Sequence, residues 1–132
     1  MHARFVAALL SVIVGASTAI AALPPRNLDD AHRDLERWLG ATGIQHAKKA
    51  RSEQDFMFRV IGLEGAVSLT NRWHLWDQSP LARYFKRLGV REPHDMVGVV
   101  TGTYWCKVQG RPVRLREHAA YWREAEAKNR FR

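Results

Sequence analysis

The sequence predicts an all-α fold: a small single-domain bundle of about five to six short helices around a buried central helix at 96–109, preceded by a signal peptide. Three observations carry that reading. Apolar residues recur three and four positions apart in one stretch after another, which is the period of a helix face. The stretches open on capping residues and close on glycines, as at Ser79-Pro80 and Gly89. Met96 to Cys106 carries no charge. No second strand-like stretch exists to pair with it, so a strand there would leave its backbone groups without partners.

The N-terminus reads as a targeting segment. Arg4 supplies positive charge, and Phe5 to Ala22 is apolar or small. Ala19-Ile20-Ala21 places small residues where signal peptidase reads, so cleavage is expected after Ala21, with Ala22 the second choice. Pro24 and Pro25 stop any helix that would continue. An uncleaved anchor is the competing reading. The run sits at the low edge of a span of about 17–25 residues, and Ser11, Gly15, Ser17 and Thr18 dilute it. A lipoprotein needs a cysteine just after the run, and the only cysteine is Cys106. The expected organisation is a signal peptide at 1–21, a linker at 22–26, a helical domain at 27–128 and a frayed end at 129–132. The protein is expected to be exported, either periplasmic or secreted.

The first helix starts at Asn27, a capping residue followed by Asp29 and Asp30 in the first turn, where the helix dipole favours them. Leu28, Ala31, Leu35, Trp38 and Leu39 share one face, Asp29 and Arg33 are spaced to pair outside, and Gly40 ends the helix. Residues 41–51 read as a short helix or loop. Ser52 opens the next helix, with Phe56, Met57 and Val60 on its apolar side and Gly62 and Gly65 as punctuation. Ala66, Leu69, Thr70 and Trp73 then share a side, and the chain passes into a loop near His74. Ser79 caps a helix that has Pro80 in its first turn. Leu81, Tyr84, Phe85 and Leu88 point inward, Arg83, Lys86 and Arg87 face water, and Gly89 closes it with Val90 as an apolar latch. The uncharged central helix comes next. Its Gly98 and Gly102 lie one turn apart and let a neighbour approach closely, and Gly110 ends it. In the last helix, Leu115 to Lys128, the buried stripe is Leu115, Ala119, Trp122 and Ala125. His118 and Tyr121 lie at its edge, and Glu124 is spaced to pair with Lys128.

The formal net charge is +8, and Lys107 to Arg132 holds eight basic residues against three acidic ones. An excess of that kind implies an anionic partner, here an envelope protein or an anionic surface. A solvated basic face is the plainer account. Export argues against nucleic acid, and the membrane is met only through the signal segment before cleavage. One cysteine forms no internal disulfide, so packing alone holds the fold. Cys106 in an uncharged run is expected to be a buried thiol.

Several unusual residues fall at matching spacing: Leu69-x-Asn71-x-Trp73-x-Leu75-Trp76, Ser79-x-Leu81-x-x-Tyr84-Phe85, Gly89-Val90, Pro93-x-Asp95-Met96, Tyr104-Trp105 and Gly110. This pattern resembles a bacterial domain-of-unknown-function family. Its members carry an Ile-Arg-Asn-x-Trp-x-Leu-Trp segment followed by His-Pro-Asp-Asp-Met-Ser. The resemblance spans roughly residues 24–122. It implies a small, mostly helical domain and carries no activity. Thr70 stands where the family pattern has Arg, Glu92 where it has His, His94 where it has the first Asp, and Val97 where it has Ser.

The polar constellation that invites chemistry is Asn71, Arg72, His74, His94 and Asp95. His94 or His74 is the candidate general base, with Asp95 to orient it. Asn71, Arg72 and Trp76 are the candidate binding residues. The competing structural roles are that Asp95 satisfies backbone N–H groups at a helix start, that Asn71 tethers a helix end, and that Arg72 pairs with Asp95 or Asp77. Trp73, Trp76, Trp105 and Trp122 at helical spacing read as core more readily than as a ligand groove. No His or Cys pair has metal-ligand spacing, and no nucleophile elbow, phosphate loop or dinucleotide fingerprint occurs, so no cofactor or metal is expected. The leading expectation is a non-catalytic interaction module of the cell envelope. The alternative is an envelope hydrolase using His94 and Asp95 as an acid–base pair.

Overall fold

The computed structural model describes residues 23–130; the signal-peptide reading falls outside them. Helices α1 (Leu28–Lys49), α2 (Glu53–Asp55), α3 (Gly62–Arg72), α4 (Pro80–Arg87), α5 (Pro93–Val108) and α6 (Leu115–Arg130) succeed one another, and a π-helical segment at Phe56–Ile61 joins α2 to α3. No strand occurs among the described residues, and no helix there is long and apolar enough to cross a membrane.

The helix starts obey their caps. The Asn27 side chain accepts from the Asp30 N–H at 2.9 Å, Ser52 from Asp55 at 3.0 Å, and Ser79 from Ala82 at 3.2 Å. At the end of α4, the Gly89 and Val90 N–H groups donate to Lys86 and Phe85 carbonyls. Gly89 adopts a φ of 82°, and Val90 is buried as the latch.

Gly40 kinks α1 rather than ending it. Its φ of 69° breaks the helical backbone for one residue, and the chain resumes helix to Lys49. The stretch expected as a short helix or loop is therefore a second arm of α1. Its C-terminal carbonyls are satisfied from α5: Trp105 Nε1 donates to Ala50 O at 3.1 Å, and Gln109 Nε2 donates to Lys48 O at 3.0 Å. Such carbonyls have no partner within their own helix.

Helix α5 is the centre. It touches every other element, and each residue from Met96 to Cys106 is buried. It runs Pro93–Val108, so it starts one turn earlier than the apolar pattern predicts, because Pro93 suits a first turn. Its hydroxyls bond within the helix, Thr101 to Val97 O at 2.8 Å and Thr103 to Val99 O at 2.6 Å. His32 of α1, 1 % exposed, meets the Thr103 hydroxyl at 2.8 Å, and burial pushes its imidazole down to about 4.

Helix α6 is the least embedded. Ala119 is its one buried residue; Leu115, Trp122 and Ala125 are half-buried. Trp122 packs on α5 where Gly98 leaves room: a Cβ on Gly98 would lie 2.3 Å from the indole. The ion pair on α6 is Glu126–Arg130 rather than Glu124–Lys128, and Asp30, not Asp29, holds Arg33.

Candidate functional site

The polar constellation read from the sequence divides between separate places. Asn71 and Arg72 end α3. The Trp73 N–H donates to Leu69 O, the His74 N–H to Asn71 O, and His74 takes a left-handed φ of 50° to turn the chain. Arg72 does not reach Asp95 or Asp77. It forms a fork on Asp34 of α1, with Nε to Oδ2 at 2.7 Å and Nη2 to Oδ1 at 3.0 Å. Trp73 Nε1 donates to the same Oδ2 at 2.7 Å. These bonds hold the Asp34 carboxyl below its ordinary value, Arg72 first and Trp73 next, against the opposing effect of burial. Leu69, Trp73 and Leu75 are buried in the core, but Trp76, read from its spacing as core, is 71 % exposed. The exposed His74 lies 4.0 Å from the exposed carboxylate of Asp77. Together Arg72 and His74 edge a shallow depression with Asp34, Arg37 and Pro24.

His94 and Asp95 sit elsewhere, in the first turn of α5. The His94 ring stands edge-on to Trp122 with centroids 6.3 Å apart. Asp95 accepts no backbone hydrogen bond among the described residues, so the capping role expected for it is not made. Burial pushes its carboxyl up to about 6; His94 offsets part of this, and Glu126 and Glu92 add to it.

His94 borders a largely apolar groove. Met57 and Ile61 of the π-helical segment, Ala66 of α3, Val97 of α5 and Trp122 of α6 wall it. Phe58 and Leu63 stand at its mouth, 80 % and 78 % exposed, and Val67, one turn on from Leu63, is also exposed. Isolated exposed apolar residues are ordinary, but a contiguous set beside a groove is the usual sign of a contact surface. The π-helical geometry produces it. Phe56 and Ile61 turn into the core while Phe58 between them points to water.

A third cluster joins residues far apart in sequence. Glu53 of α2 accepts from the Cys106 thiol at 3.3 Å and lies 3.0 Å from His118 Nε2. His118 Nδ1 lies 2.9 Å from the Arg114 carbonyl. Burial, then the Glu53 carboxylate, pushes the Cys106 thiol up to about 11, which removes it as a nucleophile at neutral pH. Sequence spacing does not point to this cluster, since its members come from three elements.

A family model for a domain of unknown function, DUF6794, matches residues 24–108. The chain belongs to that family. The DUF6794 match covers the Asp34–Arg72–Trp73 clamp, Glu53 and Cys106, and most of the groove, but stops before His118 and Trp122. No curated protein and no solved structure matches the chain.

Proposed function

We propose that the protein is a small non-catalytic interaction module of the cell envelope, which receives an apolar segment of a partner envelope protein in the groove between the π-helical segment, α3, α5 and α6. One observation carries the reading: Phe58 and Leu63 stand in water beside a groove walled by Met57, Ile61, Val97 and Trp122. Burying two such side chains against a partner contributes about 3–6 kcal/mol before the cost of association. The basic C-terminal part supports an acidic flank on that partner. Export rests on the N-terminal apolar run and its Ala19-Ile20-Ala21 pattern.

The test is photo-crosslinking in intact cells from a photoreactive phenylalanine at position 58, with position 121 as the control. A discrete adduct from position 58, lost in Leu63→Asp and absent from position 121, is the expected result. Equal adducts from both positions, or an adduct indifferent to Leu63→Asp, would overturn the groove as the contact surface. A mature N-terminus at Ala22 or Leu23 in the envelope fraction is the expected result for export; an intact Met1 in the cytosol would refute it.

A second reading, a hydrolase using His94 and Asp95 as an acid–base pair, has one observation in its favour. The Asp95 carboxyl is pushed up to about 6, in the range that suits a proton donor. An unchanged cellular phenotype in a stable His94→Ala, Asp95→Ala double variant counts against it.

A further inference from the structure

The Glu53–Cys106–His118 cluster has no part in the groove or in the Asp34 clamp. We propose that Glu53, Cys106 and His118 form a three-ligand site for a divalent metal ion of the zinc class. A thiol, an imidazole and a carboxylate are the donor set that such an ion takes. The Sγ, Nε2 and carboxylate oxygen all lie within 4.8 Å of one another. Ligand atoms around a tetrahedral zinc are about 3.3–3.6 Å apart, given bonds of about 2.0–2.3 Å. Two edges are already near that size: 3.3 Å from Sγ to Glu53 Oε1, and 3.0 Å from His118 Nε2 to the same oxygen. Small side-chain rotations bring the third into range.

Two further features fit a metal site. His118 Nδ1 faces the Arg114 carbonyl at 2.9 Å. A carbonyl only accepts, so Nδ1 carries a proton and Nε2 is the nitrogen turned toward Glu53 and Cys106. An outer hydrogen bond of this kind fixes the tautomer and ring orientation of a metal-bound histidine. Gly102 is the second feature. A Cβ there would lie 3.0 Å from Glu53 Oε2 and 3.2 Å from His118 Cδ2, so the glycine keeps α5 clear of the donors. The ion takes the place of the protons now held between these groups, and its binding releases both the Cys106 thiol proton and the proton held between His118 Nε2 and Glu53. The Glu53 side chain is 32 % exposed, which leaves a fourth ligand position toward solvent. The ion staples α6 to α2 and α5. His118 lies outside the family-matched segment, so the family match does not carry the third ligand.

The experiment uses the full chain, reduced and free of any histidine tag, titrated with Co²⁺ and then Zn²⁺. The expected result is one Co²⁺ per chain with a thiolate-to-cobalt charge-transfer band that Zn²⁺ abolishes. Zn²⁺ at about a hundred times its Kd is expected to raise Tm by about 10 °C. Cys106→Ser removes the band. His118→Gln keeps a neutral hydrogen-bonding side chain and weakens binding at least about a hundredfold, the upper end of what loss of even an outer partner does. His46→Gln, at an exposed histidine of α1, leaves band and affinity unchanged. A wild-type chain with no charge-transfer band and no Zn²⁺-dependent rise in Tm overturns the site, as does wild-type affinity in His118→Gln. Glu53→Gln, at a half-exposed position, keeps the test decisive if Cys106→Ser does not fold: an unweakened affinity there also refutes the proposal.

Discussion

Replacing Asp34 by Ala removes one carboxylate and strands two donors of unequal consequence. Trp73 is 2 % exposed, and its indole N–H donates to Asp34 Oδ2 at 2.7 Å. With the acceptor gone, a buried donor is left without a partner, which costs about 1–3 kcal/mol. Arg72 loses two bonds, but its side chain is 42 % exposed and water replaces them, so its share is under about 1 kcal/mol. The expected total is about 1–4 kcal/mol, a fall in Tm of about 5–20 °C for a domain of this size. Arg72→Ala is expected to cost about 1 kcal/mol or less. Urea denaturation monitored by circular dichroism measures both, with an unchanged slope required for the comparison. The acid limb supplies a second reading. The folded carboxyl of Asp34 lies below its unfolded value near 3.8, so its stabilisation is fully present above that pH and is lost as pH falls through the lower folded value. Asp34→Asn flattens that part of the limb. If Arg72→Ala costs as much as Asp34→Ala, the surface fork and not the buried indole holds the helix end, and the reasoning fails.

Asp95 has the opposite sign. Its folded carboxyl is pushed up to about 6 against 3.8, so folding favours its neutral form and stability falls as pH rises from 3.8 through 6. Asp95→Asn is expected to stabilise at pH about 8 by about 1 kcal/mol or less, discounted for its partial exposure, and to change little at pH about 4; destabilisation at the higher pH would show that its carboxylate makes a cap. Gly98→Ala places a Cβ 2.3 Å from Trp122 Cζ2 and 2.4 Å from Cε2, so the indole must leave its seat. Overpacking of about 1–3 kcal/mol exceeds the gain of about 1 kcal/mol in helix propensity. The expected result is a lower Tm with faster tryptic cleavage at Arg123 and Lys128, and a stabilised, equally resistant variant would contradict the packing.

What the sequence makes legible here is what short-range chemistry decides. Asn27, Ser52, Ser79-Pro80 and Gly89 mark helix ends because a cap or a positive φ is a local requirement. The uncharged Met96–Cys106 run announces its burial because eleven consecutive residues leave no face for water. Gly40 misleads for the same local reason: a glycine that ends helices elsewhere only bends α1, because Trp105 and Gln109 reach across from α5 to finish the second arm. The partners of polar side chains are not local. Asp34 looks like one more solvent carboxylate on α1, and only the adjacent donors Arg72 and Trp73 hint that some acceptor must meet them. Glu53, Cys106 and His118 give no spacing signal at all, since a turn of α2, the end of α5 and the start of α6 bring them together.

The π-helical run Phe56–Ile61 makes chain length, not only composition, a specified quantity in this region. A π turn holds a residue more than an α turn does, so the segment behaves as an insertion absorbed into a helix. Deleting one residue between Phe56 and Ile61 would let the segment return to the ordinary pitch, at which residues four apart lie about 40° apart on one face. Phe56 and Ile61 would still share the core-facing side, whereas at that pitch their present five-residue spacing would set them about 140° apart. A single-residue deletion is thus a milder change here than in an ordinary helix. A relative lacking that residue would fold its helices together without presenting the same apolar mouth.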